Sequence, residues 1–251
     1  MVRILLHGCC GRMGHMIAEM AAKDEGVSVA AGVDARGEQY ADFPVYHSLE
    51  EVKEEADVCI DFSTAAAVPA LLEWCQETKT PVIVCTTGLS VEQTEELHAV
   101  SDQVAVLKSA NMSVGINLIE QILKEAAPKL LAAGFDCEIV EKHHNQKLDA
   151  PSGTALALAD AVNESAGGDY EYVFDRSTRR EKRPKKEIGI SSVRAGSIVG
   201  DHDVIFAGQD EVITFSHTAY SRAIFAKGAV EAAKFLAGKP AGFYDMQDVL
   251  A

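Results

Sequence analysis

The sequence predicts an α/β chain in two parts. The first is an open, doubly wound parallel sheet. The second is an α+β domain with a mixed or antiparallel sheet of its own. Three observations predict this. Over residues 1–113, short continuous apolar runs alternate with helical patterns, as in strands buried on both faces. A glycine-rich turn joins the first run directly to the first helical pattern. From residue 136 onward, runs that alternate polar and apolar residues take over, as in half-exposed strands.

The first strand is Val2–His7, and Gly8-Cys9-Cys10-Gly11-Arg12-Met13-Gly14 follows at once. Met13, Met16, Ile17, Met20 and Ala21 then repeat at i, i+3, i+4, i+7 and i+8, one face of an amphipathic helix. Gly26 stops it, and Val27–Val33 forms the next strand, ending in Asp34. Strand, glycine turn, helix, strand and acid make a Rossmann-like dinucleotide-binding unit. Glycines let backbone N–H groups approach a pyrophosphate, and the helix start adds a favourable dipole. Asp34 lies 20 residues after Gly14, where an acid can accept hydrogen bonds from an adenosine ribose. Arg36, two residues further, can meet a 2′-phosphate or remain a solvated loop residue. A tight glycine turn without a ligand is the plainer alternative.

Residues 49–55 read as a short acidic helix. Strands follow at 57–62, 81–85 and 104–108, with a helix after the first carrying Val68, Leu71, Leu72 and Cys75. Ser90 with Gln93 three residues on reads as a capping box for another helix. The strand ends carry small or hydroxyl residues: Ser63-Thr64, Thr86-Thr87-Gly88 and Ser109-Ala110-Asn111. In an open α/β sheet, ligands bind at that edge.

A long helix runs from Val114 to about Leu131, with Pro128 expected to bend or end it. A strand at 136–142, a helix from about Ser152 ending at Gly167-Gly168, and a loop at 169–187 come next. Strands at 188–198, 203–207 and 211–218 read as antiparallel, and a last helix covers about 221–236. Residues 114–221 thus form one sheet with helices on one side. The basic run in the loop (Arg176, Arg179, Arg180, Lys182, Arg183, Lys185 and Lys186) reads first as a solvated loop, second as a rim attractive to an anion.

A net charge of −15 over 251 residues argues against nucleic acid as a partner. No apolar run approaches the roughly 20 residues of a membrane span, and no signal-peptide layout opens the chain. Six cysteines, with neither CxxC nor zinc-ligand spacing, read as reduced and mostly buried thiols of a cytoplasmic protein; no metal site is expected.

The densest chemistry lies between Glu141 and Thr154 (EKHHNQKLDAPSGT). His143 and Lys147 are both proton donors when charged, and a dry pocket can tune either toward neutral pH. His144 points elsewhere in an extended segment and so has a different job. Gly153-Thr154 stands at a helix start, where free N–H groups and a hydroxyl suit a carboxylate. A solvated turn before an ordinary helix entry is the bland alternative.

These residues resemble the 4-hydroxy-tetrahydrodipicolinate reductase (dihydrodipicolinate reductase) family. Its signature stands complete in Glu141, His143-His144, Lys147 and Asp149-Ala150-Pro151-Ser152-Gly153-Thr154-Ala155. Gly8 to Gly14 matches its GxxGRMG, and Asp61-Phe62-Ser63, Thr86-Thr87-Gly88 and residues 109–115 match its other cofactor edges. The resemblance runs essentially end to end. It implies hydride transfer from NADH or NADPH to a small cyclic dicarboxylate. His143 and Lys147 would be the proton donors, and His144, Gly153 and Thr154 would bind its carboxylates. The cofactor would be held by Gly8, Cys9, Cys10, Gly11, Arg12, Met13, Asp34, Phe62, Cys85, Thr86, Thr87, Ser109, Ala110, Asn111 and Met112. It further implies a cytoplasmic homotetramer assembled through the second domain (114–221), and a cofactor domain made of 1–113 and 222–251.

Cys85 departs from the family's usual glycine and Thr64 from its frequent arginine, so a looser hold on the nicotinamide side is expected. Two alternatives remain at this point: another two-domain nicotinamide-dependent dehydrogenase, and a non-enzymatic NAD(H)-sensing regulator.

Overall fold

Leu5 explains the architecture of the first unit. It is fully buried, as are its neighbours Ile4 and Leu6, but it packs into a different core. Strand alternation sends Ile4 and Leu6 to one face of the sheet and Leu5 to the other. Both faces must therefore be covered, which is what double winding achieves.

The structure, a computed structural model, describes residues 1–251. It divides into two compact units, Met1–Ser113 with Ala223–Ala251, and Val114–Arg222. In chain order the first elements are β1 (Val2–His7), α1 (Arg12–Ala21), β2 (Val27–Val33), β3 (Val45–Tyr46), β4 (Val58–Asp61), α2 (Val68–Thr78), β5 (Val82–Val84), α3 (Val91–Ser101) and β6 (Ala105–Leu107). Then come α4 (Val114–Ala132), β7 (Asp136–His143), α5 (Gly153–Ser165), β8 (Glu171–Val173), β9 (Glu187–Arg194), β10 (Gly200–Ala207) and β11 (Val212–Ala219). The chain closes with α6 (Ala223–Leu236), β12 (Gly242–Tyr244) and α7 (Met246–Leu250).

The first unit holds a seven-stranded sheet ordered β12-β6-β5-β4-β1-β2-β3, and every pairing is parallel. Ile17 on α1 and Ala226, Ala229 and Ala233 on α6 cover the Ile4–Leu6 side. Leu71 and Leu72 on α2 and Leu97 on α3 cover the Leu5 side. Small residues let α6 approach closely: a Cβ on Gly228 would collide with the Met112 carbonyl. Ser90 caps α3 in the expected capping box with Gln93.

The second unit holds a five-stranded sheet ordered β11-β10-β7-β9-β8. One face packs Cys137, Ile139, Ile188, Ile190, Val204 and Phe206 against Leu123 of α4 and Leu158 of α5. The α/β reading with a second mixed sheet is borne out.

Several details differ from the sequence reading. Residues 49–55 yield only one 3-10 turn, Leu49–Glu51, because Val52 is already extended. Pro128 does not end α4, which runs through to Ala132 with Leu123 and Ala127 buried. Burial of that face outweighs the lost backbone bond. β9 is not antiparallel; it runs parallel to both β7 and β8, and β8 lies inside the expected loop. β10 starts at Gly200, not 203, which places His202 within the strand. β3, β12 and α7 were unread because each is only two to five residues long.

The basic run is only partly a solvated loop: Arg180, Lys182 and Lys185 are exposed, while its other four cations are paired. Arg183 donates to Glu138 at 2.8 Å, to Asp136 at 2.9 Å and to the Cys137 carbonyl at 2.8 Å. Arg176 and Arg179 pair with the buried Glu187, and Lys186 with Asp169. The three arginines are spent on acids of the sheet's strands. All six cysteines are buried and unbridged.

Candidate active site

β7 carries the site because its alternation changes character halfway along. Cys137, Ile139, Glu141 and His143 share its buried face, and the first two enter the apolar core. The last two make a polar layer at the strand's C-terminal end. Register sets Ser192 and His202 on either side of Glu141, and Arg194 beside His143.

Glu141 has no exposed surface. Arg194 Nη1 donates to Oε2 at 2.8 Å and Nη2 to Oε1 at 2.7 Å, and the Ser152 amide donates to Oε1 at 3.2 Å. Burial alone would raise this carboxyl. The hydrogen bonds from Arg194, Ser192 and His143 outweigh it and hold the pKa at about 2. Glu141 is therefore a fixed anion at neutral pH.

His143 Nδ1 lies 2.5 Å from Glu141 Oε2. An ionised carboxylate only accepts, so Nδ1 carries the proton and Nε2 is left as the working nitrogen. Gly200 keeps that side narrow but open: a Cβ there would approach Nε2 to 3.1 Å. Burial lowers the His143 pKa, the charges of Lys147 and Arg194 lower it further, and Glu141 opposes them. The His202 ring stands edge-on to His143, with centroids 5.1 Å apart. Ser152 Oγ accepts from the Ala155 amide at 3.2 Å and lies within hydrogen-bond distance of His202 Nε2, at 3.1 Å. Burial, then the neighbouring His143, takes the His202 pKa down to about 4, so this ring is neutral.

The rest of the segment folds back beside these groups. The Lys147 amide donates to the His144 carbonyl at 3.1 Å, closing a turn. Lys147 Nζ pairs with Asp149 at 2.9 Å. Arg194 Nη2 also donates to the Asp149 carbonyl at 2.6 Å, so one side chain holds both the strand end and the turn. The Ala150–Pro151 peptide is cis, and Ser152 then caps α5. Nothing stands within 4 Å of a Cβ placed on Gly153, so the positive end of α5 meets open space. Thr154 is half-buried on the first turn, and His144 is half-buried just past β7.

The first unit carries the other predicted residues. Gly8 has φ +79° and packs so tightly that a Cβ would lie 2.5 Å from the Phe62 carbonyl oxygen. The amides of Cys9 and Gly11 are committed to Val33 O and Gly8 O, at 3.3 and 3.0 Å. The Cys10 amide donates to Asp34 Oδ2 at 3.1 Å. The thiols of Cys9 and Cys10 are buried, and burial pushes Cys9 up to about 12. α1 starts without a side-chain cap, so the first-turn amides at Arg12 and Met13 have no acceptor within the helix. A cavity of about 610 Å³ is bordered by Gly8, Gly11, Asp34, Arg36 and Phe62. A Cβ-free cradle, uncapped helix amides and an acid at the strand end fit a dinucleotide. Arg36 Nε donates to Asp34 Oδ1 at 3.1 Å.

The other strand ends are closed more tightly. Cys85, Thr86 and Met112 are buried, Thr87 and Ala110 are exposed, and Ser109 and Asn111 are half-buried. Lys108 Nζ donates to the Thr86 carbonyl at 2.7 Å, and Asn111 Oδ1 accepts the Ser113 amide at 2.8 Å.

Residues 2–112 match the family described as dihydrodipicolinate reductase, N-terminus, and residues 115–250 match dihydrodipicolinate reductase, C-terminus. The chain belongs to the dihydrodipicolinate reductase family. It is 52% identical to the 4-hydroxy-tetrahydrodipicolinate reductase of Caldanaerobacter subterraneus subsp. tengcongensis, covering 100% of this chain and 98% of the relative. It is 47% identical to the enzyme of that name from Clostridium tetani, covering 100% and 97%. The fold matches a dipicolinate-bound dihydrodipicolinate reductase from Paenisporosarcina sp. TG-14 (TM-score 0.81, 23% identity, all of both chains). A probable dehydrogenase from Thermotoga maritima shares the fold more loosely (TM-score 0.62, 13% identity, 99% and 92% covered).

This reductase is thus an oxidoreductase, and its Rossmann-like unit implies a nicotinamide cofactor. Within its site, sequence reasoning missed four contributors. Glu141 was noted as part of the signature but given no task, although its i, i+2 spacing to His143 in a strand would have assigned one. Ser152 was taken only as a turn residue. Arg194 and His202 lie 51 and 59 residues beyond His143, and only sheet register brings them in.

Proposed function

We propose that this enzyme reduces the dehydrated, cyclic form of 4-hydroxy-tetrahydrodipicolinate with NADH or NADPH. The product is tetrahydrodipicolinate, on the diaminopimelate route to lysine. The observation that carries this is the buried Arg194–Glu141–His143 chain with Lys147 acting electrostatically on the same imidazole. It presents a proton donor in a cationic pocket, as reduction of a dianionic imine requires.

The bound nicotinamide supplies the hydride. Addition of hydride leaves an electron pair on the substrate that must be quenched by a proton. His143, with Nδ1 fixed on Glu141, takes up a proton on Nε2 from solvent or from the Lys147 ammonium and passes it to the substrate, and Lys147 is the second donor. The α5 start at Gly153-Thr154, with His144, takes the substrate's carboxylates. Gly8 to Met13, Asp34, Phe62, Cys85 to Thr87 and residues 109–112 hold the cofactor. Asp34 suits the ribose hydroxyls of NADH and Arg36 the 2′-phosphate of NADPH, so both are accepted.

The second sheet also supports a homotetramer, because Val193, Val212 and Ile213 are exposed on it. Six buried, unbridged thiols favour the cytoplasm. No helix is long and apolar enough to cross a membrane. The test is oxidation of NADH or NADPH on adding freshly formed dihydrodipicolinate precursor. Absence of turnover with either would overturn the reading.

A further inference from the structure

His7 and Asp61 face each other at the last register position of β1 and β4. Both are buried, Asp61 completely. His7 Nδ1 lies 2.9 Å from Asp61 Oδ1, and that same oxygen accepts the Ser63 amide at 3.1 Å. The backbone repeats the link: the Phe62 amide donates to the His7 carbonyl at 3.0 Å. One residue further on, Gly8 is pressed against the Phe62 carbonyl.

We propose that His7 is a positioning residue for the cofactor: its bond to Asp61 locks the glycine turn and the Phe62–Ser63 edge into one rigid lip. This rests on the reading that Gly8 to Met13 and Phe62 hold the dinucleotide. The physical reason is the state of Asp61. A wholly buried carboxylate is costly unless it is bonded, and here both bonds fall on Oδ1 while Oδ2 has no hydrogen-bond partner, so the His7 contact matters more. Burial pushes its pKa up, while His7 and the Ser63 turn bring it below the ordinary carboxylate range. Lys108 also faces it electrostatically, from the β6 end. Without His7, Asp61 must take a proton or turn toward Thr86 and Lys108. Either response loosens the Ser63 amide, and with it the wall against which Gly8 is held.

The experiment compares His7→Ala, His7→Asn and Asp61→Asn in the full chain. His7→Ala should raise the NADH Kd, measured by fluorescence titration, and its KM about tenfold, the scale of one lost charge-assisted hydrogen bond. kcat should stay within about twofold of wild type. His7→Asn, which restores a donor near Nδ1, should recover most of the affinity. Amide exchange over residues 8–14 and 62–64, without cofactor, should quicken in His7→Ala. An unchanged Kd in His7→Ala, even with a lowered Tm, would overturn the proposal. Should His7→Ala not fold, an unchanged Kd in Asp61→Asn does the same. In wild type, NADH should protect residues 8–14 and 62–64 from exchange. No protection there would overturn the parent reading as well, whereas protection with unchanged variant affinities sinks this inference alone.

Discussion

Arg194 grips Glu141 with both terminal nitrogens, at 2.7 and 2.8 Å, across a sequence separation of 53 residues. The planar guanidinium matches the carboxylate edge to edge, a fit lysine lacks. Because Glu141 is wholly buried, the pair cannot be halved cheaply. Arg194→Ala should cost about 3–5 kcal/mol in urea unfolding, since it strands a buried charge. Arg194→Lys should recover part of that loss. A change below about 1 kcal/mol in Arg194→Ala would show that the pair is not what secures this layer.

His143→Ala and Lys147→Ala address the chemistry. Each should lower kcat by roughly 10²–10⁴, the range of a positioned acid–base group. The NADH Kd should be unchanged, because both residues lie in the unit other than the one carrying the glycine turn. Loss of cofactor binding with turnover intact would reverse the role assignment.

The proposed roles of Arg36 and Asp34 can be tested by comparing the two cofactors. In the structure Arg36 is spent on Asp34, with Nε and the backbone amide both at 3.1 Å from Oδ1. Arg36→Ala should lower kcat/KM for NADPH by about tenfold, as expected for one lost charge-assisted contact, and leave NADH within about twofold. Equal losses with both would remove Arg36 from cofactor discrimination.

His202 predicts an acid weakness. Its pKa is about 4 in the folded chain against 6.5 for the free side chain. Between those values the unfolded chain binds the extra proton, so stability is full above 6.5 and falls as pH drops toward 4. At a pH of roughly 4.5 the loss from this one group is about 2–3 kcal/mol. His143 and His217 are shifted the same way by burial, so the clean measurement is a difference. Urea unfolding at neutral pH and in mild acid should show a smaller acid loss for His202→Gln than for wild type. Equal losses would mean that His202 is not buried neutral.

Legibility differed from place to place for physical reasons. The run Ile4-Leu5-Leu6 is apolar at consecutive positions, and only a strand covered on both faces needs that. The sheet was therefore readable. The direction of β9 was not, because a strand's pattern is the same read either way and the crossover before it decides. That Pro128 does not end α4 was not readable, because a local rule on helix breaking competes with the burial of Leu123 and Ala127, and the helix continues. The pairing of Arg176, Arg179 and Arg183 was not readable because their partners, Asp136, Glu138, Glu171 and Glu187, lie on strands of the sheet the loop borders.

By itself the sequence determined the class of fold, the glycine turn with its acid, and the concentration of donors in the short stretch from Glu141 to Thr154. Those are local matters, set by side-chain period, backbone freedom and the density of donors within a few residues. Tertiary structure alone decided that Glu141 is a permanent anion, that His143 has Nδ1 committed to it, and that His202 is neutral. Each depends on burial and on hydrogen bonds from Arg194, Ser152 or Ser192, which no local pattern specifies. His7 makes the same point in the first unit: as the last residue of a strand it is ordinary, and opposite a buried Asp61 it is not.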